Sequence, residues 1–347
     1  MKRNNIPYVI VIIIQAIYAA MFILSKAAFD HGMNNFVFVF YRQSAATIFL
    51  IPFALFFEWK NAPPLPFTTF CKIFFISFIG ITSSLDIYGI ALIKTSATLA
   101  SATTNCLPVI TFFLALLFRI EVLKVKTAAG AAKLAGVVAC LGGAATLAFY
   151  KGPHLQLLSH FHVLGNYHKT QQQQQHQGHD WIKGCFLMLL SNTFWGMWLV
   201  LQTFIIKGYP SKLLLTTLQC FLSSIQSLVV ALAVERDFEQ WKLGWNVRLL
   251  AVLYCGIMVT GVTYYLQTWV IEKRGPVFLA MSMPLALIMT MFSSVILLGE
   301  IISLGSILGS CALVLGLYFV LWGKSREQML IASVDLEKAS CLSETNK

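Results

Sequence analysis

Residues 6–25 read IPYVIVIIIQAIYAAMFILS, a largely apolar stretch that carries no charge. An α-helix rises about 1.5 Å per residue, so a run of about 20 residues crosses the roughly 30 Å hydrocarbon core of a bilayer. A secretory signal peptide has a shorter apolar core followed by a small-residue cleavage site, and neither feature is present here. The stretch therefore predicts a first transmembrane helix.

The composition of the whole chain agrees with this interpretation. Of its 347 residues, 58% are hydrophobic and 11% are charged, whereas soluble domains carry about 25% charged residues. So much apolar surface requires lipid as a second solvent. The net charge is +11, but Lys and Arg lie mostly in short gaps between apolar runs, which indicates membrane topology. We predict a lipid bilayer and a small-molecule solute as partners and no nucleic acid; the oligomeric state stays open.

Ten apolar runs are long enough to span a membrane. We predict helices at about 6–28, 35–57, 72–93, 96–118, 129–150, 183–206, 212–234, 248–271, 276–299 and 302–322. The N-terminus, the even-numbered gaps and the C-terminal tail hold 16 Lys and Arg residues, and the odd-numbered gaps hold 8. Because cytoplasmic loops are enriched in Lys and Arg, both termini are predicted to be cytoplasmic.

Two polar segments interrupt the apolar pattern. Residues 151–182 hold six of the seven histidines and five consecutive glutamines, and residues 323–347 form a polar tail. We expect both to be disordered. A metal-binding role for the histidines is the alternative for the loop, although their spacing is irregular. No CxxC pair exists among the eight cysteines, so no disulfide framework, zinc site or cofactor is predicted.

The loop separates two similar halves, residues 6–150 and 183–322. The halves match without a gap at a single offset, in the pairs Lys94 and Lys273, Glu121 and Glu300, and Gly130 and Gly309. Five spans are an odd number, so the second half enters the membrane in the opposite orientation. The predicted fold class is all-α, with ten transmembrane helices in two inverted five-helix repeats. Such repeats bind their substrate near the bilayer midplane, which favours a transporter.

Several motifs carry a family resemblance. They are GMNNFVFVFYRQ from Gly32, LIPFA from Leu50, TSATLASA from Thr95, NCLP from Asn105, FRIE from Phe118, KRGPVF from Lys273, LGE from Leu298 and LWGK from Leu321. Together they closely resemble the plant Walls-Are-Thin-related family, also called nodulin-like or UMAMIT proteins, of the EamA-type drug/metabolite transporter superfamily. The resemblance covers about residues 6–327.

This resemblance implies ten helices in two EamA-like repeats. It also implies facilitated or bidirectional transport of amino acids, or for some members auxin, in the plasma membrane or the vacuolar membrane of a plant. The chain departs from the family in its third helix, where relatives usually show a Gln-Asn pair before an aromatic residue. Here Leu85 and Asp86 stand at those positions, so an acid replaces an amide.

Polar side chains inside the spans are costly to bury and are candidate binding residues. The predicted substrate-binding residues are Arg42, Asp86, Asn105, Asn192, Trp195, Gln219, Tyr264 and Gln267. Arg42 either contacts a substrate carboxylate or has a structural role, in which it forms a salt bridge with Asp86 or caps backbone carbonyls. Asp86 either binds a proton or an amine or has a structural role. For the uncharged residues, hydrogen bonding between helices is the alternative.

Other classes of protein find less support. An intramembrane enzyme would need a nucleophile or metal constellation, but the spans contain no HExxH or GxSxG motif and no histidine. A channel would need a ring of charge or a carbonyl filter, and no such motif is visible.

Overall fold

The computed structural model describes residues 5–58, 64–94, 106–120, 127–149, 154–155, 178–209, 211–298 and 302–304, and most positions from 308 to 327. The helices are α1 (Ile6–Asp30), α2 (Asn35–Phe57), α3 (Phe67–Ser77), α4 (Ser84–Lys94), α5 (Leu107–Leu117), α6 (Ala128–Phe149), α7 (Gly178–Gly208), α8 (Lys212–Val234), α9 (Val247–Leu253), α10 (Tyr264–Arg274), α11 (Pro276–Ala280) and α12 (Met283–Leu298). Further helical turns follow between 304 and 327. A 3₁₀ turn spans Phe238–Trp241, and the strands β1 (His154–Leu155) and β2 (Ile302–Ser303) have two residues each.

Apolar helices of membrane-spanning length dominate the described chain. Five are long and apolar enough to cross a bilayer: Asn35–Phe57, Phe67–Ala91, Phe186–Gly208, Lys212–Val234 and Val247–Arg274. Five shorter apolar helices are Ile6–Phe22, Leu107–Leu117, Ala128–Gly143, Pro276–Thr290 and Cys311–Val320. The predicted helical membrane fold is confirmed, while the exact count of ten spans stays a prediction.

The distribution of side chains between interior and surface is typical of a protein dissolved in lipid. Large apolar side chains point outward, among them Phe56 at 82% exposure and Val229 at 64%. Amide side chains lie inside instead, and Gln15, Gln202 and Gln219 are fully buried. Apolar side chains are well solvated by lipid tails, whereas polar groups need hydrogen-bond partners within the protein.

Two helices contain long π-helical segments at equivalent places in the repeats. α3 continues into α4 through the segment Phe78–Ser83, and α9 continues into α10 through Tyr254–Thr263. We call these continuous elements the α3–α4 helix and the α9–α10 helix. The offset that relates Lys94 to Lys273 also carries the first segment into the second. π-Helical turns are rare and appear mostly at functional sites.

The packing of α2 against α8 shows that the repeats are inverted. Glu58, just after the end of α2, accepts hydrogen bonds from the first turn of α8, and Asn34, just before α2, donates to Glu235 just after α8. The two second helices therefore run antiparallel. Equivalent pairs recur elsewhere, because α1 packs on the α9–α10 helix as α7 packs on the α3–α4 helix. The predicted inverted-repeat fold is confirmed.

The ninth predicted span is interrupted near its beginning. α11 ends at Ala280, Met281 and Ser282 form a turn, and α12 begins at Met283. The Ser282 hydroxyl accepts a 2.8 Å hydrogen bond from the Gln15 amide of α1. The fourth span is described from Cys106 onward, with Pro108 in the first turn of α5.

Parts of the polar loop have defined structure. Leu155 and His154 pair antiparallel with Ile302 and Ser303. α7 begins at Gly178, which places residues 178–182 in a helix rather than in the predicted loop. The run of five glutamines lies outside the described residues.

Candidate functional site

Arg42 lies in α2 with 5% of its surface exposed. Its Nε donates a 2.7 Å hydrogen bond to the Thr260 hydroxyl in the π-helical part of the α9–α10 helix. Within the described part of the chain, no carboxylate lies within 4 Å of the guanidinium group. The alternative of a salt bridge between Arg42 and Asp86 is therefore wrong for this structure. Arg42 presents a buried positive charge that no described protein anion neutralises.

Two tyrosines face this charge. Tyr18 of α1 and Tyr264 of α10 are 8% and 0% exposed, and the charge of Arg42 acts on both hydroxyls. The Gln267 amide donates a 2.8 Å hydrogen bond to the Tyr18 hydroxyl. The Tyr264 hydroxyl lies beside Gln43, but no side chain in the described ranges forms a hydrogen bond of proper geometry with it. A buried hydroxyl of this kind is available to a further ligand.

Aromatic rings form a wall next to Tyr264. The Trp195 and Trp198 rings of α7 stack with centroids 5.0 Å apart, and each centroid lies 5.5 Å from that of Tyr264. Trp198 is 1% exposed, whereas Trp195 is partly exposed. Gly80 allows this arrangement, because a Cβ atom there would lie 2.5 Å from the Trp198 Cβ. We call the combined set the Arg42 cluster, and its members are Tyr18, Arg42, Gln43, Trp195, Trp198, Thr260, Tyr264 and Gln267.

Most members of the Arg42 cluster lie in the middle third of their helices. Tyr18 is at the centre of the 25-residue α1, and Thr260 is at the centre of the 28-residue apolar stretch Val247–Arg274. Tyr18, Arg42 and Gln43 come from the first repeat, and the other members come from the second. The cluster therefore lies between the two repeats near the middle of the membrane, where an inverted-repeat transporter binds its substrate.

Buried polar atoms without partners concentrate in this cluster. Among the described residues, both amide atoms of Gln43, the Gln267 Oε1, the Tyr264 hydroxyl and the Trp198 Nε1 make no hydrogen bond. Native proteins satisfy nearly all buried polar groups. Gln43 and Tyr264 lie side by side and can bond to each other, whereas the Gln267 Oε1 and the Trp198 Nε1 are open to a water or a ligand. The cluster offers both donors and acceptors to a small polar molecule.

Asp86 lies at a different height along the helix axes from the Arg42 cluster. It is 6% exposed, and its Oδ1 has no hydrogen-bond partner within the described ranges. Its backbone carbonyl accepts a 3.4 Å hydrogen bond from the Asn35 amide. Asn35 lies about two turns before Arg42 on α2, which corresponds to about 10 Å along the helix axis. Asp86 and Arg42 therefore form two separate buried charged positions.

Gln219 is held by protein groups. Its Nε2 donates 2.8 Å to the Gln202 Oε1, and the Gln202 Nε2 returns a 3.2 Å hydrogen bond to the Gln219 Oε1. The Gln202 amide also donates 3.1 Å to the Thr268 hydroxyl. This network ties α7, α8 and α10 together, which matches the alternative of interhelical hydrogen bonding.

The remaining predicted residues have less defined roles. Asn192 lies buried in α7 at 6% exposure, next to Ser191, whose hydroxyl donates 2.7 Å to the Ser84 carbonyl. Asn105 lies outside the described residues. The structure thus brings Arg42, Trp195, Tyr264 and Gln267 together.

The predicted substrate-binding residues do not include four members of the Arg42 cluster: Tyr18, Gln43, Trp198 and Thr260. Tyr18 stands three positions after Gln15, which places both on one face of α1, and this spacing was the available signal. Trp198 follows Trp195 in the same way. Both aromatic residues read as ordinary apolar positions in a hydrophobic span.

The fold and the cluster define a multi-pass helical membrane protein with two repeats and a polar position between them. The model of the EamA-like transporter family matches residues 5–147 and 182–322. The chain belongs to the EamA-like transporter family.

Curated relatives from Arabidopsis thaliana agree with this assignment. The WAT1-related protein At5g64700 is 60% identical over 96% of this chain and 94% of its own. The WAT1-related protein At1g43650 is 47% identical over 91% of each chain. The protein WALLS ARE THIN 1 is 36% identical over 93% of this chain and 83% of its own. The resemblance to the Walls-Are-Thin-related family is confirmed.

A solved structure has the same fold. A crystal structure of a protein 13% identical to this chain superimposes with a TM-score of 0.65, covering 92% of this chain and 98% of that chain. At this level of identity the match concerns the fold alone.

Proposed function

We propose that this protein carries amino acids across a membrane by alternating access, with the Arg42 cluster as the binding site. The observation that supports this most directly is the buried guanidinium of Arg42, which has no carboxylate within 4 Å among the described residues. A buried cation without a counter-ion is costly. The carboxylate of a solute neutralises that charge.

The neighbouring groups suit the rest of an amino acid. The Arg42 guanidinium, with the Thr260 hydroxyl beside it, binds the carboxylate. The free Gln267 Oε1 and the Tyr264 hydroxyl accept hydrogen bonds from the ammonium group. The ammonium and the carboxylate of an amino acid are bonded to the same carbon atom. Asp86 of α4 lies beside Asn35, about two turns of α2 away from Arg42, so the proposal does not use it for the ammonium of a solute bound at Arg42.

The partly exposed Trp195 favours a second candidate, auxin or another aromatic acid. A wall of Trp195, Trp198 and Tyr264 beside a guanidinium suits a ring that carries a carboxylate. Such a solute needs no ammonium site. The two candidates therefore differ in whether the acceptor atoms of Gln267 and Tyr264 are used.

We place the protein in the plasma membrane, with the vacuolar membrane as the alternative, and both termini in the cytoplasm. The family resemblance supports the first assignment. The twofold excess of Lys and Arg in the N-terminus, the even-numbered gaps and the tail supports the second.

The test is expression in cells that lack their own amino-acid permeases, with labelled amino acids followed in both directions. We expect flux of amino acids in either direction down their gradient. Labelled auxin is measured in the same cells. Auxin flux without flux of any amino acid would overturn the ranking of the two candidates, and open-pore conductance in single-channel recordings would replace the transporter by a channel.

A further inference from the structure

The carboxylate of Glu58 caps the first turn of α8. Its Oε2 accepts hydrogen bonds from the backbone N–H groups of Leu213 at 3.1 Å and Leu214 at 3.2 Å, and from the Ser211 hydroxyl. The first N–H groups of a helix have no partner within that helix, and the helix dipole favours an anion there. A side chain at the end of one repeat's second helix thus completes the start of the other repeat's second helix.

The opposite end of the same helix pair repeats the arrangement. Glu235 accepts a 2.5 Å hydrogen bond from the Asn34 amide, and the Asn34 Oδ1 in turn accepts from the backbone N–H group of Phe36 at 2.8 Å. Asn34 is the residue that caps α2. Glu235 follows Glu58 at the same interval at which Ser211 follows Asn34. The two contacts therefore join equivalent positions of the two repeats, although Glu58 accepts directly from backbone N–H groups of α8 and Glu235 reaches α2 through its capping residue Asn34. We call them the reciprocal glutamate clamps.

The helices between the clamps are also joined in their middle. The hydroxyl oxygens of Ser44 in α2 and Ser224 in α8 lie 2.8 Å apart. α2 and α8 share one of the most extensive helix–helix contacts of the described chain, second to that of α7 with the continuous α3–α4 helix. The pair is therefore fastened at the middle and at both ends, which means on both sides of the membrane.

The α3–α4 helix contacts the same pair through a different kind of segment. Thr82, in its π-helical part, lies with its hydroxyl oxygen 2.8 Å from that of Ser223 and 3.0 Å from the Gln226 Oε1. A π-helical segment replaces the regular backbone bonds of an α-helix by wider ones, and proteins use such segments where a helix changes its course. The α9–α10 helix has the equivalent segment.

We propose that α2 and α8 stay together as one rigid pair throughout the transport cycle, held by the reciprocal glutamate clamps, while the α3–α4 and α9–α10 helices change their position against it. The inference rests on the proposed transport function only in its reference to a cycle. The clamps join both ends of the pair at once, so a cycle that separated α2 from α8 would have to break the hydrogen bonds of Glu58 or of Glu235 at every turnover.

Two cross-links with the same starting geometry test this proposal. Ser44→Cys with Ser224→Cys joins α2 to α8, and Thr82→Cys with Ser223→Cys joins the α3–α4 helix to α8. Both pairs begin from hydroxyl oxygens 2.8 Å apart. The eight native cysteines are replaced by serine or alanine beforehand. A protease site is introduced within residues 156–177. After cleavage, cross-linked protein runs on a denaturing gel as one band of full size, whereas protein without the cross-link runs as two halves.

The first measurement needs no solute. In membrane vesicles, we expect the Ser44–Ser224 cross-link to form nearly completely and the Thr82–Ser223 cross-link to form only in part. The double substitution Glu58→Gln with Glu235→Gln should lower the Ser44–Ser224 yield about twofold, because each clamp loses its charge at a helix terminus. The matched control is Glu239→Gln, an exposed glutamate paired with Lys242, which should leave the yield unchanged. Partial formation of the Ser44–Ser224 cross-link in the unsubstituted background would overturn the proposal.

The second measurement is amino-acid flux before oxidation, after oxidation and after reduction. We expect the oxidised Ser44–Ser224 protein to keep its flux and the oxidised Thr82–Ser223 protein to lose it until it is reduced. Reversible loss of flux in the Ser44–Ser224 protein would show that α2 and α8 separate, and full flux in the oxidised Thr82–Ser223 protein would show that the α3–α4 helix does not move against the pair. If the reduced proteins carry no amino acid at all, the proposed solute is wrong, and the cross-linking yields still decide the rigid pair.

Discussion

Arg42 holds its charge among hydroxyl, phenol and thiol groups. Besides Thr260 and the two tyrosines, the buried thiols of Cys220 and Cys255 lie within reach of its charge. These hydroxyl, phenol and thiol groups are uncharged in their protonated forms. They can therefore orient the guanidinium group but do not neutralise its charge. This environment supports the proposal that Arg42 binds the carboxylate of a solute.

Replacement of Arg42 should therefore act on solute binding. For Arg42→Ala we expect uptake at low solute concentration to fall at least about tenfold, because a hydrogen bond to a charged group contributes about 1.5–3 kcal/mol. Arg42→Lys should fall in between, since lysine keeps the charge but loses the planar fork that grips a carboxylate. Initial uptake rates, normalised to protein in the membrane, give the result.

The control for Arg42 is Arg236→Ala, which removes an exposed arginine after α8. Its uptake should match that of the unsubstituted protein. Equal uptake by Arg42→Ala and Arg236→Ala would contradict a binding role for Arg42.

Asp86 is predicted to carry the proton dependence of transport. Acidic residues inside membrane spans are rare and often take part in proton transfer, and no described cation lies within 4 Å of the Asp86 carboxylate. Uptake by Asp86→Asn, measured from acidic to alkaline pH, should lose the pH dependence seen without the substitution. Asp237→Asn is the control, because Asp237 is exposed and asparagine also caps a helix. An unchanged pH profile for Asp86→Asn, at normal expression, would refute the role.

The sequence predicts several residues of the candidate site, but it does not predict which of them contact each other. Arg42, Trp195, Tyr264 and Gln267 stand out as polar or aromatic residues in apolar runs, and the structure brings them together. Gln219 stands out in the same way, yet its amide is paired with a second buried amide, and nothing in a single sequence shows which of two buried amides meets the other. A salt bridge to Asp86 was an open alternative for Arg42, but the two turns of α2 between them keep the charges apart.

At the scale of helices, the hydropathy pattern predicts the second and seventh spans at the positions where α2 and α8 lie. It predicts neither the π-helical segments nor the break between α11 and α12. Hydropathy reports which residues prefer lipid, whereas the register of backbone hydrogen bonds depends on neighbouring helices. Gly80, which admits Trp198 of α7, is an example of such a neighbour effect.

Close packing between α6 and the last helix provides a test of these contacts. A Cβ atom on Gly136 would lie 2.6 Å from the backbone oxygen of Gly316, whereas one on Gly142 would meet nothing within 4 Å. Gly136→Ala should therefore destabilise the protein by about 1–3 kcal/mol, the usual cost of overpacking. Gly142→Ala, in the same helix, should be neutral or slightly stabilising, because alanine is the better helix former.

The two glycine variants are compared by the temperature at which half of the detergent-solubilised protein leaves the monodisperse fraction. Gly136→Ala should lose that fraction at a lower temperature than Gly142→Ala. The reverse order would mean that α6 and the last helix do not approach as closely as described.

At the scale of the whole molecule, contacts between the repeats are numerous enough to hold them together without a covalent link. α2 packs on α8, α1 on the α9–α10 helix, and α7 on the α3–α4 helix. Cleavage of the folded protein at a protease site within residues 156–177 should leave the two halves co-eluting in mild detergent, with flux retained. Separation of the halves on size exclusion would contradict this, and an uncut sample carried through the same steps is the control.

The reciprocal glutamate clamps make the contact between the repeats isologous: the same patch occurs on both sides, as in a dimer with a twofold axis. In a dimer of identical five-helix units, one substitution in that patch would change the contact at both ends of the interface. Within one continuous chain the two copies change separately. Asn34 and Ser211 already differ while sharing the clamp, and the interval that separates them leads from Arg42 to the uncharged Gln219. The duplicated framework thus keeps equivalent contacts at both ends of the helix pair, while only one of its halves places a positive charge at the Arg42 position.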